Sequence, residues 1–160
     1  MADRPLDLYL NDHMGGATLG AELAEQIVKR NEGTPIGDLI KPIAIEIEED
    51  RQLLDGVMER LDVGRNPVKQ AGGWLAEKWS RVKFSGAGSG EADHGNFMAL
   101  EALALGILGK RSLWVALRAV EEQHEAIRDL DLDDLIARAD GQHEVVERAR
   151  IKAAGGALSG

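Results

Sequence analysis

Apolar residues recur at three- and four-residue intervals along most of the chain. Nowhere do they alternate as a half-buried strand requires. The clearest run is Ile36, Ile40, Ile43, Ile47, Leu54, Val57 and Leu61, one face of a helix from Pro35 to about Leu61. A first helix is predicted from about Leu6 to Arg30. Between the two, Asn31-Glu-Gly-Thr-Pro35 supplies a glycine stop, a threonine cap and a proline at the first helical position. Val63-Gly-Arg-Asn-Pro67 repeats the device and predicts a shorter helix to about Val82. Ser85–Gly90 reads as a loop. A third long helix is predicted from about Asp93 to Leu108, broken near Gly109 and continued from Arg111 to about Ile127. Asp131–Asp134 then caps a last helix running to about Ala154. This is an all-α chain: an antiparallel four-helix bundle of two helical hairpins joined by a crossover with extra short helices. Residues 1–160 form a single domain, with its core at about 6–154 and a fraying glycine-rich tail at 155–160.

The stripes are interrupted by polar residues. On helix one the seam Leu6, Leu10, His13, Ala17, Gly20, Ala24, Ile27 contains His13. On helix two Asp50 stands between Ile47 and Leu54. The third seam reads His94, Phe97, Glu101, Ala104, Leu108, and the fourth passes through Ala139, Gln142 and Val146. Counted from Gly33, His13 lies 20 residues back and Asp50 lies 17 forward. At ~1.5 Å per residue an antiparallel hairpin brings them to levels within ~5 Å. A buried carboxylate needs a partner, so Asp50 is expected to face His13. His13, Asp50, Glu101 and Gln142 are expected to form a buried polar layer that holds helix register.

Composition narrows the function. The chain has no cysteine, which excludes disulfides, zinc-thiolate sites and thiol nucleophiles. Met1–Asp7 lacks the apolar run of a signal peptide, and no segment approaches the ~20 apolar residues of a membrane span. A cytoplasmic protein with no membrane partner is expected. A net charge of −9 argues against nucleic acid as the main partner. A local basic stretch, Arg65, Lys69, Lys78, Arg81 and Lys83, could meet an acidic protein partner or a second copy of the chain. Ser85–Gly90 has no preceding strand and no following Lys-Ser/Thr, so it is not a nucleotide loop. The serines lack a histidine pattern that would mark a nucleophile. The small face Gly16/Gly20/Ala24 fits close helix packing or a homodimer seam. Trp74, Trp79 and Trp114 fit core and crossover anchors, with a ligand pocket lined by them as the second reading.

Four segments, Tyr9-Leu-Asn-Asp-His13, Glu46-Ile-Glu-Glu-Asp50, Leu100-Glu-Ala-Leu103 and Gly109-Lys-Arg-Ser-Leu-Trp114, carry a resemblance. Together with the two-plus-two helix layout, they make the chain resemble the ferritin-like superfamily over roughly Leu6 to Ala154. It is closest to small ferritin-like proteins without a complete di-iron motif. The resemblance implies a metal alternative, iron or manganese, with an oxidoreductase or iron-handling role. Carried over by position, its ligands would come from Glu46, Glu49, Asp50, Glu101, Asp140, His143 and Glu147. Glu46-x-x-Glu49 lacks the histidine that the motif requires on helix two. The leading expectation is therefore a non-catalytic binding or structural module, self-associating and without a cofactor.

Overall fold

The computed structural model describes residues 4–66 and 89–159. Helix α1 spans Pro5–Arg30, with proline at its first position, Asp7 in its first turn and Lys29 and Arg30 in its last. These charges oppose the helix dipole at both ends. Gly33, at φ +74°, makes the tight turn that α1 and α2 share. Thr34 then caps α2, Pro35–Arg60: its Oγ1 accepts from Gly37 N at 3.2 Å. Gly37 also lets the backbones meet, because a Cβ there would collide with the Asn31 carbonyl.

Helix α3 is Ser89–Val120, and α4 is Leu132–Ala157. Two short 3₁₀ turns, Glu121–Gln123 and Glu125–Ile127, join them. The Asp131 side chain caps α4 by accepting from Asp134 N at 2.9 Å. The break expected near Gly109 is absent: α3 runs unbroken through it. One helical glycine costs only ~1 kcal/mol relative to alanine, which the packing of a 32-residue helix outweighs. The helix expected to reach Ile127 instead ends at Val120. The short helix expected at 67–82, with Trp74 and Trp79, lies outside the described residues.

Among the described residues there are four long helices and no strands. Helix α1 packs on α2 and α3, while α4 packs on α3 and α2. One core cluster joins Leu23, Ala24 and Ile27 to Ile40, Ile43 and Ile47, to Ala99–Ile107 of α3, and to Ala139, Val146 and Ala149. The other joins Leu10 and Met14 to Leu54, Val57, Leu113, Trp114, Leu117, Leu132 and Leu135. Each helix is therefore antiparallel to both of its neighbours, and α2 and α3 run parallel across the diagonal. Asn31 and Asn96 clasp each other through reciprocal amide hydrogen bonds of 3.0 and 2.9 Å, which ties the start of α3 to the α1–α2 turn. The chain thus enters α3 at the opposite end of the bundle from where it leaves α2. None of the described helices is long and apolar enough to cross a membrane.

The third stripe is shifted from its predicted phase. His94 and Leu108 are exposed and Glu101 is half-buried, while Leu100, Leu103, Ile107, Trp114 and Leu117 are buried. The middle of α3, Met98–Leu108, is apolar nearly all round, so periodicity alone offers little contrast there.

Candidate functional site

The expected partner of Asp50 is not His13. Asp50 is 4% exposed, and the Lys110 ammonium donates to its Oδ2 at 2.6 Å. The α2 and α3 backbones lie across the bundle diagonal, so the four-carbon lysine stem makes this contact. Gln142, from α4, donates from Nε2 to the same Oδ2 at 3.1 Å and to Glu46 Oε2 at 2.9 Å. Its Oε1 accepts from Lys110 Nζ. Arg138 closes the network: its Nη2 donates to Glu49 Oε2 at 2.6 Å, and its Nε lies 3.5 Å from Asp50 Oδ1. Three carboxylates (Glu46, Glu49, Asp50) thus face two cations (Lys110, Arg138) around one amide. Burial pushes the Lys110 ammonium below its ordinary range, and Asp50 opposes that push.

Lys110 escaped the sequence reading because lysine is read as a surface residue. A signal was present: Leu103, Ile107, Lys110, Trp114 and Leu117 keep 3/4 spacing, which puts Lys110 inside the buried stripe. Asn11 and Asn31 were missed likewise. Both are buried. Asn11 donates to the carbonyls of Asp7 and Gly64 and accepts from Asn66 N, which pins residues 64–66 against α1.

His13 is half-buried, with its ring edge-on to Tyr9 at 4.6 Å between centroids. Burial lowers its pKa, and Asp12 opposes the shift. His13 does share a space with Asp50. A cleft of about 310 Å³ is lined by His13, Gly16 and Gly20 of α1, by Ile47, Asp50 and Leu54 of α2, and by Leu103, Gly106, Gly109, Lys110 and Trp114 of α3. Its walls are mostly apolar, and the charged residues that line it are Asp12, Asp50, Arg51 and Lys110. Asp12, Leu19 and Leu105, which also line it, are exposed or partly so. Trp114 is 1% exposed, and its indole Nε1 has no hydrogen-bond acceptor among the described residues.

The other expected residues lie apart from the cleft. Glu101 is half-buried and takes Arg150 Nη1 at 3.3 Å, so it is not in a layer with Asp50. Asp140 is exposed and pairs with Arg111 at 2.5 Å. Glu147 pairs with Arg150 at 2.6 Å, and that hydrogen bond, with a smaller contribution from His143, holds its carboxyl below the usual range. Each of the six acids of the metal set, Glu46, Glu49, Asp50, Glu101, Asp140 and Glu147, is in an ion pair with an arginine or lysine of the chain. Among the described residues, no three acids or histidines come together so as to hold a metal ion. The donor set therefore does not fit the metal that the resemblance implies. Arg65 turns back onto Asp55, with Nε to Oδ1 at 2.8 Å, while Lys69, Lys78, Arg81 and Lys83 lie outside the described residues.

Helices and site together define an all-α bundle with an ion-paired network through its core and a glycine-lined cleft beside it. Comparison with known protein families, with curated proteins and with solved structures finds no match for the chain.

Proposed function

We propose that this chain is a non-catalytic binding module, arranged like the ferritin-like bundles it resembles, that takes a small apolar molecule in the cleft beside Lys110. The observation that carries this reading is the pair of glycines at the cleft wall. Gly20 and Gly109 sit inside long helices, and neither has a positive φ. A Cβ added at either would meet nothing within 4 Å among the described residues. Neither backbone conformation nor close packing requires glycine there, and the same holds at Gly56 and Gly141, so what marks Gly20 and Gly109 is where they lie: at the cleft, where a larger side chain would take up its volume. Both line the cleft, and both keep its volume open. The volume is at the lower end of the range usual for small-molecule pockets.

The metal reading has weaker support, because its carboxylates already face cations built into the chain. The Asp50–Lys110–Gln142 network serves as the rigid floor of the cleft and fixes helix register.

The test is a titration of the ¹⁵N-labelled chain with a panel of neutral and charged aromatic fragments. Binding should move the amide signals of Gly16, Gly20, Gly106 and Gly109 together. Gly109→Leu should fill the space and abolish binding while the fold survives. Gly56→Leu and Gly141→Leu, which place leucine in open space outside the cleft, should leave binding unchanged. Fragments that bind Gly109→Leu as well as the parent chain would refute the site.

A further inference from the structure

We propose that the outward face of α3 is a homodimer interface, on which α3 of a second copy packs antiparallel about Ser112. The inference is independent of the cleft: Leu108, Ser112 and Val115, on which it turns, do not line that space.

It begins with what α3 turns to water. Leu105, Leu108, Ser112, Val115, Ala116 and Ala119 keep 3/4 spacing on the side opposite the buried Leu103, Ile107, Trp114 and Leu117. All six are exposed or half-buried, with Leu108 at 40% and Val115 at 42%. The line runs ~21 Å at 1.5 Å per residue. It carries no charge, on a chain in which 29% of residues are charged. The outward rows of the other helices carry Asp12 and Glu22 on α1, Lys41 and Glu49 on α2, and Asp133, Glu144 and Arg148 on α4. A helix apolar on every side is the mark of one that is covered on every side, yet this face of α3 is open to water.

Charge decides what covers it. Each chain carries a net −9, so two copies repel wherever their acidic faces meet. On this line nothing charged meets. The row beside it, Arg111 and Arg118, is answered within the chain by Asp140 and Asp133, each at 2.5 Å. A charged partner finds no counter-charge on the line, whereas a face of the same kind needs none. Shape decides the arrangement. In an antiparallel pair centred on Ser112, Leu108 comes level with Ala116 of the second copy, and Leu105 with Ala119, so a large side chain meets a small one at each step. A parallel pair would set Leu108 against Leu108 and Leu105 against Leu105. Ser112 lies on the two-fold axis, and its hydroxyl donates to the Leu108 carbonyl at 3.0 Å, so it enters a dry contact already satisfied. One helix face of this length supports a weak, concentration-dependent dimer rather than an obligate one.

The test is sedimentation equilibrium of the full chain from about 10 μM to about 1 mM, which should show a reversible monomer–dimer equilibrium. Leu108→Glu and Val115→Glu each put an unpaired carboxylate into the contact and should weaken it by about ten-fold or more, with circular dichroism showing that the helices persist. Ile45→Glu and Ile151→Glu, at apolar positions 57% and 58% exposed on α2 and α4, should leave it unchanged. The chain has no cysteine, so single cysteines report the arrangement. Under mild oxidation Ser112→Cys should give a disulfide-linked dimer. Leu108→Cys should not, because the two copies of residue 108 lie ~12 Å apart along an antiparallel pair, beyond the ~7 Å between Cα atoms that a disulfide spans. If a glutamate variant does not fold, Ser112→Cys against Leu108→Cys carries the test. A chain that stays monomeric throughout, or a dimer that survives both α3 glutamates, would overturn the proposal. Cross-linking of Leu108→Cys as fully as Ser112→Cys would overturn the antiparallel arrangement.

Discussion

The Asp50–Lys110 pair gives the sharpest prediction, because its two ends fail differently. Asp50 is 4% exposed and Lys110 is mostly buried. Removing one member of a buried pair costs about 3–5 kcal/mol. Lys110→Met should fall near 3 kcal/mol, since Asp50 keeps the Gln142 amide at 3.1 Å and Arg138 Nε at 3.5 Å. Asp50→Leu should cost more, about 4 kcal/mol, because Lys110 then retains only an amide oxygen as a direct acceptor. Its way out is to lose a proton, and from an ordinary pKa near 10.4 that costs at most about 4.6 kcal/mol at pH 7. The double variant Asp50→Leu/Lys110→Met leaves no orphan charge in the pair. It should lose about 4 kcal/mol rather than the sum of about 7, a coupling of about 3. Urea unfolding followed by circular dichroism measures all three variants, provided the m-value is unchanged. A second signature is pH. Lys110 titrates lower in the folded chain than unfolded, so above its folded pKa the unfolded state binds more protons. Stability of Asp50→Leu should therefore rise between that lowered value and about pH 10, by no more than about 1.4 kcal/mol per unit. Additive single losses would refute the pairing. A large coupling between Asp50→Leu and His13→Leu would restore histidine as the partner.

Gly37→Ala should destabilise by about 2 kcal/mol or more in the same assay, because the new Cβ meets the Asn31 carbonyl and both backbones must shift; a neutral result would show that the turn relaxes freely. His13 titrates below its ordinary 6.5 through burial, with Asp12 opposing. Its contribution is complete above about pH 6.5 and is lost as pH falls through the lowered folded value, so His13→Gln should flatten the stability profile between that lowered value and about pH 6.5; an unchanged slope would place the ring in solvent. Purified without a metal-binding tag and exposed to ferrous iron or manganese without oxygen, the chain should retain less than stoichiometric metal by elemental analysis; one or two tightly held ions lost on changing Glu46 or Asp50 would reverse the present reading.

Much of the fold was written in local chemistry. Proline at the first helical position, threonine and aspartate caps, and glycine at positive φ depend on neighbours within a few residues, so the starts of α2 and α4 and the α1–α2 turn could be read directly. The stripe on α2 was legible because polar residues flank it: Ile40, Ile43, Ile47, Leu54 and Val57 are all buried. Asp50, inside that stripe, was a legible anomaly for the same reason. What stayed hidden needed the other three helices. An apolar α3 has no contrast to fix its phase, so packing against α1 and α4 chose which of its residues face inward. The partner of Asp50 was hidden because level counting works only within one hairpin. Lys110 reaches Asp50 across the diagonal from a helix 60 residues away, and its height depends on a connection that local pattern does not measure. The cleft belongs wholly to the tertiary structure. Glycines at 16, 20, 106 and 109 look like packing residues in a list, and they become an open volume only when α1 and α3 are set side by side over α2.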